Sequence, residues 1–199
     1  HMSDEGYELE FIHDAFAKNW IAPLGENVTG FEQALSDYLG WGHTVALSAG
    51  TAALHLSLIL CGVGHRDLVF CQDLTFCASA NPVTYLGAEP VFIDSERDTW
   101  NMDPEALERA FQKYPDTKVV VLAHLYGTPA RMDEILEVCQ RHNAIVIEDA
   151  AEALGATYKG VACGTFGKYN AISFNGNKII VICVYLVKLF RNAVNSFST

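Results

Sequence analysis

The segment KVVVLAHLYGTPARMDEILEVCQRHNAIVIED, residues 118–149, decides the fold class of this 199-residue chain. It starts with a continuous apolar run at 119–122 and continues through a helical stretch at 131–141. It ends in a second apolar run at 145–147. Continuous apolar runs of this length are typical of strands that are buried on both faces. A strand, a helix and another strand in this order predict parallel strands joined by a helix.

The same alternation extends along the chain in both directions. Further strands are predicted at 43–48, 68–72, 90–94 and 170–175, and further helices at 28–38, at 51–61 and from an Asp-Pro start at 103–104. The predicted fold class is therefore α/β, with a mainly parallel sheet and helices on both faces. Ligands bind such sheets beyond the carboxyl ends of the strands, so polar residues at those ends are candidates for a site.

Composition excludes several classes of protein. Half the residues are hydrophobic and 19% are charged, which is typical of a soluble globular protein, and a net charge of −11 disfavours nucleic acid as a partner. The apolar run at 179–187 is too short to cross a bilayer, so no membrane partner is expected. The seven histidines show no metal-ligand spacing, and no metal is expected. Six cysteines without a CxxC pair indicate reduced core residues of a cytoplasmic protein: Cys61, Cys71, Cys77, Cys139, Cys163 and Cys183.

A small-residue turn at Gly50 and Thr51 leads from a predicted strand into a helix. Backbone N–H groups at a helix N-terminus, with a hydroxyl and no bulky side chain nearby, can hold a phosphate. The turn matches neither a Walker loop nor GxGxxG, and a plain tight turn explains it about as well.

Two ionisable residues follow predicted strands. Asp149 ends a buried strand, where a carboxylate can pair with a protonated ring nitrogen such as that of pyridoxal phosphate; alternatively, it caps the next helix. Lys178 follows Gly176 just after the last predicted strand, where it could form a Schiff base, although most lysines are solvated surface residues. Ser173 in that strand could add a hydroxyl to the phosphate site.

Aromatic and histidine residues give weaker signals. Phe76 begins a predicted helix after the second strand and could stack on a flat ring, or could be a core residue. His124 and Tyr126 end the fourth strand and are either ligand contacts or satisfied polar groups. No GxSxG frame for a nucleophilic serine is present.

Taken together, these motifs resemble the DegT–StrS family of nucleotide-sugar aminotransferases, which are fold-type I pyridoxal-phosphate enzymes. The resemblance runs from about residue 11 to 180. Its motifs are NWIAPLG (19–25), SAGTAAL (48–54), TFCASAN (75–81), GAEPVFID (87–94), HLYG (124–127), EDAAE (148–152) and SFNGNK (173–178). Seven motifs in the right order are far more specific than any one of them.

The resemblance implies a role for each candidate residue. Lys178 matches the lysine that carries the cofactor and moves protons, Asp149 the partner of the ring nitrogen, and Phe76 the stacked aromatic. Gly50, Thr51 and Ser173 match the phosphate contacts, and Glu152 matches a polar residue near the cofactor hydroxyl. The implied reaction moves an amino group, usually from glutamate, by way of pyridoxal 5'-phosphate to a keto group on a nucleotide-linked sugar. The implied assembly is a homodimer.

The resemblance also implies a sugar substrate and indicates how much of the family's length this chain contains. The sequence at 19–25 and 173–180 is similar to that of members that act on UDP-4-keto-6-deoxy-N-acetylhexosamines in bacterial pilin or surface glycosylation. After Ile180 the family pattern stops. We therefore expect an incomplete cofactor-binding large domain at 1–180, a non-family apolar tail at 181–199 and no C-terminal small domain, as in a truncated or frame-shifted product. The alternatives are a sugar dehydratase that uses the same cofactor, and a non-catalytic remnant that binds only the cofactor or a partner subunit.

Overall fold

The computed structural model describes residues 6–20, 25–40, 42–176, 178 and 185–189, the last of these as backbone only. Its helices are α1 (Tyr7–Ala17), α2 (Glu26–Leu39), α3 (Gly50–Leu60), α4 (Asn81–Tyr85), α5 (Pro104–Lys113) and α6 (Met132–Arg141). Its strands are β1 (His43–Leu47), β2 (Leu68–Gln72), β3 (Glu89–Ile93), β4 (Val119–Ala123), β5 (Ile145–Asp149), β6 (Thr157–Tyr158), β7 (Val161–Ala162), β8 (Tyr169–Ile172) and β9 (Tyr185–Leu189).

Seven of the described strands form one sheet in the order β1-β9-β8-β5-β4-β2-β3. The neighbouring pairs from β8 to β3 are all parallel, whereas β9 is antiparallel to both β8 and β1. Strands β6 and β7, of two residues each, form a separate antiparallel hairpin. The carboxyl ends of β2, β4, β5 and β8 therefore meet at one edge of the sheet, as the sequence predicts for a mainly parallel sheet.

Strand β4 shows how the core is divided between the two faces of the sheet. Val119 and Val121 pack in the cluster that contains α3, while Val120 and Leu122 pack in the cluster that contains α5 and α6. Successive side chains of a strand point to opposite faces, so this division requires apolar residues at every position. The apolar run at 119–122 is continuous because β4 is buried on both faces. Helices cover both faces of the sheet, as predicted.

The start of α5 follows the sequence prediction in detail. The side chain of Asp103 accepts a hydrogen bond of 2.9 Å from the backbone N–H of Glu105, and Pro104 occupies the first turn. A cap of this kind stabilises a helix by about 1 kcal/mol, and proline there loses no helical hydrogen bond. The other predicted helices and strands lie within about three residues of the observed bounds.

Several elements were not predicted. Helix α1 has no buried residue, and α4 is a five-residue helix with proline near its start. Residues 185–189, which the sequence assigns to an apolar tail, form the strand that lies between β1 and β8. The remaining tail residues, 181–184 and 190–199, lie outside the described residues. Among the described residues, no helix combines the length and the apolar character needed to cross a membrane.

Candidate active site

One pocket at the carboxyl edge of the sheet brings all the predicted site residues together. It encloses about 860 Å³, including the part open to solvent. Its lining includes Gly50, Thr51, Phe76, Asp149, Glu152, Ser173 and Lys178. Residues separated by up to 128 positions in the sequence therefore converge because β5, β8 and α3 all end or begin at this edge. Of the two further candidates at the end of β4, His124 also lines the pocket and Tyr126 does not.

The N-terminus of α3 forms one wall of the pocket. Ala49 precedes the helix in an extended conformation, and no side chain in the described part of the chain caps this end. The first N–H groups of the helix thus have no partner within it and carry its positive partial charge. A Cβ atom placed on Gly50 would lie 3.6 Å from the Cβ and 3.8 Å from the Oγ of Ser173. An added Cβ would thus be in ordinary contact with Ser173, so the helix end and this hydroxyl are close neighbours in the pocket lining, and together they suit a phosphate group.

Asp149 is the last residue of β5 and is buried. Its Oδ2 accepts a hydrogen bond of 2.6 Å from the hydroxyl of Ser79, and its Oδ1 accepts one of 3.1 Å from the backbone N–H of Ala151. Burial raises the pKa of Asp149, while the bond from Ser79, the bond from Ala151 and the charge of Lys178 act in the opposite direction. Although the carboxylate does cap the turn after β5, it also lines the pocket.

Lys178 and Glu152 form an ion pair in the lining of the pocket. The Nζ of Lys178 lies 3.0 Å from Oε1 of Glu152, and the lysine side chain is 16% exposed. The other carboxylate oxygen accepts a hydrogen bond of 3.0 Å from the backbone N–H of Tyr126. Lys178 is therefore held by a partner and directed into the pocket, unlike the solvated lysine that was its alternative.

The two aromatic candidates are both exposed. Phe76 is 73% exposed and lies just before a single turn of 3₁₀ helix at Cys77–Ser79, so it precedes a helix but belongs to none. An aromatic ring in this position is available to a ligand and is not part of the core. Tyr126 is 84% exposed, with its backbone in the left-handed region at φ 50°, and its side chain is not part of the pocket lining. Its contribution to the site is its backbone N–H.

His124 belongs to a fully enclosed hydrogen-bond network. Its Nδ1 accepts from the backbone N–H of Ala130 at 3.0 Å, so the ring proton lies on Nε2, which donates to Glu148 at 2.8 Å. Glu148 is completely buried and also accepts from the backbone N–H groups of Gly164, Phe166 and Gly167. His124, Glu148 and Cys163 lie close enough to hold a metal, but these hydrogen bonds already use the lone pairs of the histidine and the carboxylate. We interpret the group as structural.

The expectation that the cysteines are core residues needs one correction. Burial raises the pKa of the thiols of Cys61, Cys71, Cys139 and Cys163 to about 12 each, which makes them poor nucleophiles. Cys77 is exposed instead, because it lies on the irregular segment after β2 that leads past the pocket. The described cysteines are all free, and Cys183 lies outside the described residues.

Two residues of the site were missed at the sequence level. Ser79 is fully buried and bonds Asp149, and Thr75 lines the pocket and lies 2.8 Å from Ser79 between hydroxyl oxygens. Both occur in the TFCASAN motif, in which only Phe76 was predicted to contact a ligand. Hydroxyl residues four apart in an irregular segment show no periodicity, so no local signal marks them. The EDAAE motif at 148–152 predicted the carboxylate of Asp149, but it gave no indication that Ser79 is its partner.

The donor set of this pocket fits pyridoxal 5'-phosphate. An uncapped helix end and a serine hydroxyl suit its phosphate, a buried carboxylate suits its ring nitrogen, an exposed phenylalanine suits its ring face and a directed lysine suits its aldehyde. A cytosolic dehydrogenase or an ATPase would require a glycine-rich loop of another spacing. The fold and the pocket thus define the class of pyridoxal-phosphate enzymes.

Comparison with known proteins gives the family. The model of the DegT/DnrJ/EryC1/StrS aminotransferase family matches residues 3–184, and the chain belongs to that family. Its members are pyridoxal-phosphate-dependent sugar aminotransferases, and pyridoxal 5'-phosphate is the cofactor of the family. The match is wider at both ends than the span of 11–180 expected from the motifs.

Three similar proteins illustrate the relationship. The Bacillus subtilis protein described as "Putative pyridoxal phosphate-dependent aminotransferase EpsN" is 52% identical over 90% of this chain and 47% of its own length. The GDP-perosamine synthase of Caulobacter vibrioides is 46% identical over 88% of this chain and 47% of its own. The solved structure "Putative sugar aminotransferase Spr1654 from Streptococcus pneumoniae, PLP-form" superposes with a TM-score of 0.86 at 30% identity, covering 94% of this chain and 51% of the other. The chain spans about half the length of the curated relatives it matches.

Proposed function

We propose that this chain binds pyridoxal 5'-phosphate at the pocket described above and transfers an amino group to a keto group of a nucleotide-linked sugar. The observation that carries the proposal is the convergence of Lys178, Asp149 and the end of α3 in one pocket. Glutamate is the proposed amino donor. When bound, the cofactor supplies an aldehyde that accepts an amino group and a protonated ring that takes up electrons.

Four residues of the pocket would have separate roles in this reaction. The carboxylate of Asp149 would hold a proton on the ring nitrogen, since the buried charge gains most from a cationic partner. The Nζ of Lys178 would hold the aldehyde group of the cofactor and would move a proton between the substrate and cofactor carbons. Glu152 would hold Lys178 in place through the contact of 3.0 Å. Phe76 would cover one face of the ring and exclude water from it.

Three groups would hold the phosphate. The N–H groups of Gly50 and Thr51 begin α3, and the hydroxyl of Ser173 lies beside Gly50 in the lining of the same pocket. An anion at a helix N-terminus is stabilised by roughly 0.3–1 kcal/mol from the helix dipole alone, and charge-assisted hydrogen bonds add to this. The phosphate would thereby fix the distance between the ring and Lys178.

A labelling experiment tests the proposed site. The purified chain is incubated with pyridoxal 5'-phosphate and reduced with borohydride, and the modified lysine is located by peptide mass spectrometry. We expect selective labelling of Lys178, a strong loss of labelling in Asp149→Ala, and no label at this position in Lys178→Arg. The matched control is Lys168→Arg, since Lys168 is an exposed lysine that does not line the pocket. Scattered labelling of a folded sample would contradict the proposal.

The sugar is tested separately with two nucleotide classes. The sequence at 19–25 and 173–180 favours a UDP-linked 4-keto-6-deoxy-N-acetylhexosamine of the kind used in pilin or surface glycosylation. The similarity to a GDP-perosamine synthase makes a GDP-linked keto-sugar the natural comparison. Incubation with glutamate and each sugar, followed by mass spectrometry of the product, would show which one gains an amino group. Turnover of the GDP-linked sugar alone would refute the UDP assignment and leave the family reaction intact.

We also propose that the site works in a homodimer. Phe76 is widely exposed, and so are several large apolar side chains of α1, which supports the idea that a second subunit covers these surfaces. Sedimentation velocity with and without the cofactor tests it, and a monomer under both conditions would contradict it. The cytoplasmic location stays a prediction.

A further inference from the structure

The buried carboxylate of Asp149 depends on one side chain from a distant part of the sequence. Ser79, 70 residues earlier, places its Oγ 2.6 Å from Oδ2 of Asp149. The serine is completely buried, so water does not compete for this hydrogen bond. Within the described part of the chain, the carboxylate also accepts a hydrogen bond from the backbone N–H of Ala151, at 3.1 Å from Oδ1. The donor of Ser79 can be removed by a side-chain substitution that leaves the backbone hydrogen bonds in place.

The hydrogen bonds around Ser79 have a fixed direction when Asp149 is ionised. A carboxylate can only accept, so the single hydroxyl proton of Ser79 must point to Asp149. The Oγ1 of Thr75 lies 2.8 Å from the Oγ of Ser79, and Thr75 is therefore the donor in that pair. Thr75 thus donates to Ser79, and Ser79 donates to Asp149. Each bond in such a chain polarises the next one.

We propose that Ser79, supported by Thr75, is the positioning residue that keeps the Asp149 carboxylate oriented and ionised for the cofactor ring. The proposal rests on the proposed function, because it assigns a residue of that same site. The segment that carries it also carries Phe76, whose carbonyl accepts a hydrogen bond of 3.0 Å from the N–H of Ser79. The group that covers the ring face and the group that controls its nitrogen partner are therefore connected.

The electrostatic surroundings explain why this hydrogen bond matters. Burial raises the pKa of Asp149, and the bond from Ser79 is the largest effect that lowers it, ahead of Ala151, Lys178 and His124. Lys178 and Glu152 line the same pocket and are paired with each other. Glu148, the preceding residue of the strand, is enclosed by its own hydrogen bonds to His124 and to the backbone at 164–167.

The test measures Asp149 directly in the cofactor-free chain. The protein is labelled with ¹³C at the aspartate carboxyl groups, the Asp149 signal is assigned by its loss in Asp149→Asn, and its pKa is obtained by NMR titration. We expect the pKa of Asp149 to rise in Ser79→Ala. A rise is also expected in Ser79→Cys, which keeps nearly the same size but has a weaker donor, and a smaller rise is expected in Thr75→Val. Affinity for pyridoxal 5'-phosphate should fall about tenfold in Ser79→Ala, as expected from the loss of one charge-assisted hydrogen bond.

The matched control is Ser57→Ala. Ser57 is also completely buried, but it donates to the carbonyl of Ala53 within α3 and does not line the pocket. It should leave the pKa of Asp149 unchanged. An unchanged pKa in folded Ser79→Cys or Ser79→Ala, or an equal shift in Ser57→Ala, would overturn the proposal. Because the titration needs no cofactor, its outcome is independent of whether Lys178 is labelled by pyridoxal 5'-phosphate.

Discussion

The amino group of Lys178 lies 3.0 Å from Oε1 of Glu152, although 26 residues separate them in the sequence. The second oxygen of Glu152 accepts from the N–H of Tyr126 at 3.0 Å. One carboxylate therefore ties together the loops that follow β4, β5 and β8. The lysine that would carry the cofactor is therefore positioned by an ion pair with a residue of the chain itself.

Glu152→Gln tests how much this ion pair stabilises the protein. A glutamine offers one acceptor oxygen where the carboxylate offers two, and it carries no charge for Lys178. Since both side chains are only partly exposed, we expect the free energy of unfolding to fall by about 1 kcal/mol. Urea unfolding followed by circular dichroism would measure it. Asp133→Asn is the control, because its pair with Lys159 is exposed and should contribute almost nothing; equal losses in both variants would contradict a special role for Glu152.

Asp149→Asn should change how stability depends on pH. Burial raises the pKa of Asp149 above its usual value of 3.8, so between the unfolded and the folded pKa the folded chain binds more protons than the unfolded chain. Stability from this group is therefore lost as the pH rises through the folded pKa. A neutral asparagine has no such loss and can still bond Ser79 and Ala151. We expect the variant to be more stable than the original at pH 7, with the difference shrinking toward pH 4; parallel curves of unfolding free energy against pH would refute this.

The sequence predicts the convergence of the candidate residues where parallel strands determine their position. Asp149 and Ser173 lie at or just after the ends of continuous apolar runs, and the ends of parallel strands meet at one edge. Their convergence in one pocket therefore follows from strand order alone. Gly50 and Thr51 join them because a helix that follows a strand starts at that same edge.

Contacts between irregular segments could not be predicted. The bond between Ser79 and Asp149 depends on how the chain after β2 folds across β5, and no periodic pattern encodes that path. The strand at 185–189 was missed for another reason. An apolar run shows that a segment is buried, but it does not show that the segment inserts antiparallel between two particular strands.

Glu148→Gln should be much more damaging than a substitution on the surface. The buried carboxylate accepts from Nε2 of His124 and from three backbone N–H groups. An amide would turn an NH₂ group toward donors that then have no acceptor, so we expect a loss of roughly 2–4 kcal/mol in unfolding free energy. Chemical denaturation measures it, with Glu137→Gln on the exposed face of α6 as the matched control. A loss no larger than that of the control would show that the network does not stabilise this end of β5.

Gly127→Ala tests the close approach between the loop after β4 and the turn after β5. Gly127 has φ +79°, and a Cβ there would lie 2.9 Å from the carbonyl oxygen of Glu152. Gly160 is the matched control, since its φ is +82° and nothing lies within 4 Å of the added atom. Left-handed backbone alone costs a non-glycine residue about 1–2 kcal/mol, which both variants share.

We expect Gly127→Ala to lose at least about 1 kcal/mol more than Gly160→Ala, because backbone atoms must move to relieve the contact. That movement would separate the N–H of Tyr126 from Glu152 and loosen the partner of Lys178. Labelling of Lys178 by pyridoxal 5'-phosphate and borohydride should therefore weaken in Gly127→Ala and stay unchanged in Gly160→Ala. Equal stability and equal labelling in the two variants would mean that the loop can shift freely, and that Glu152 does not need it to hold the lysine.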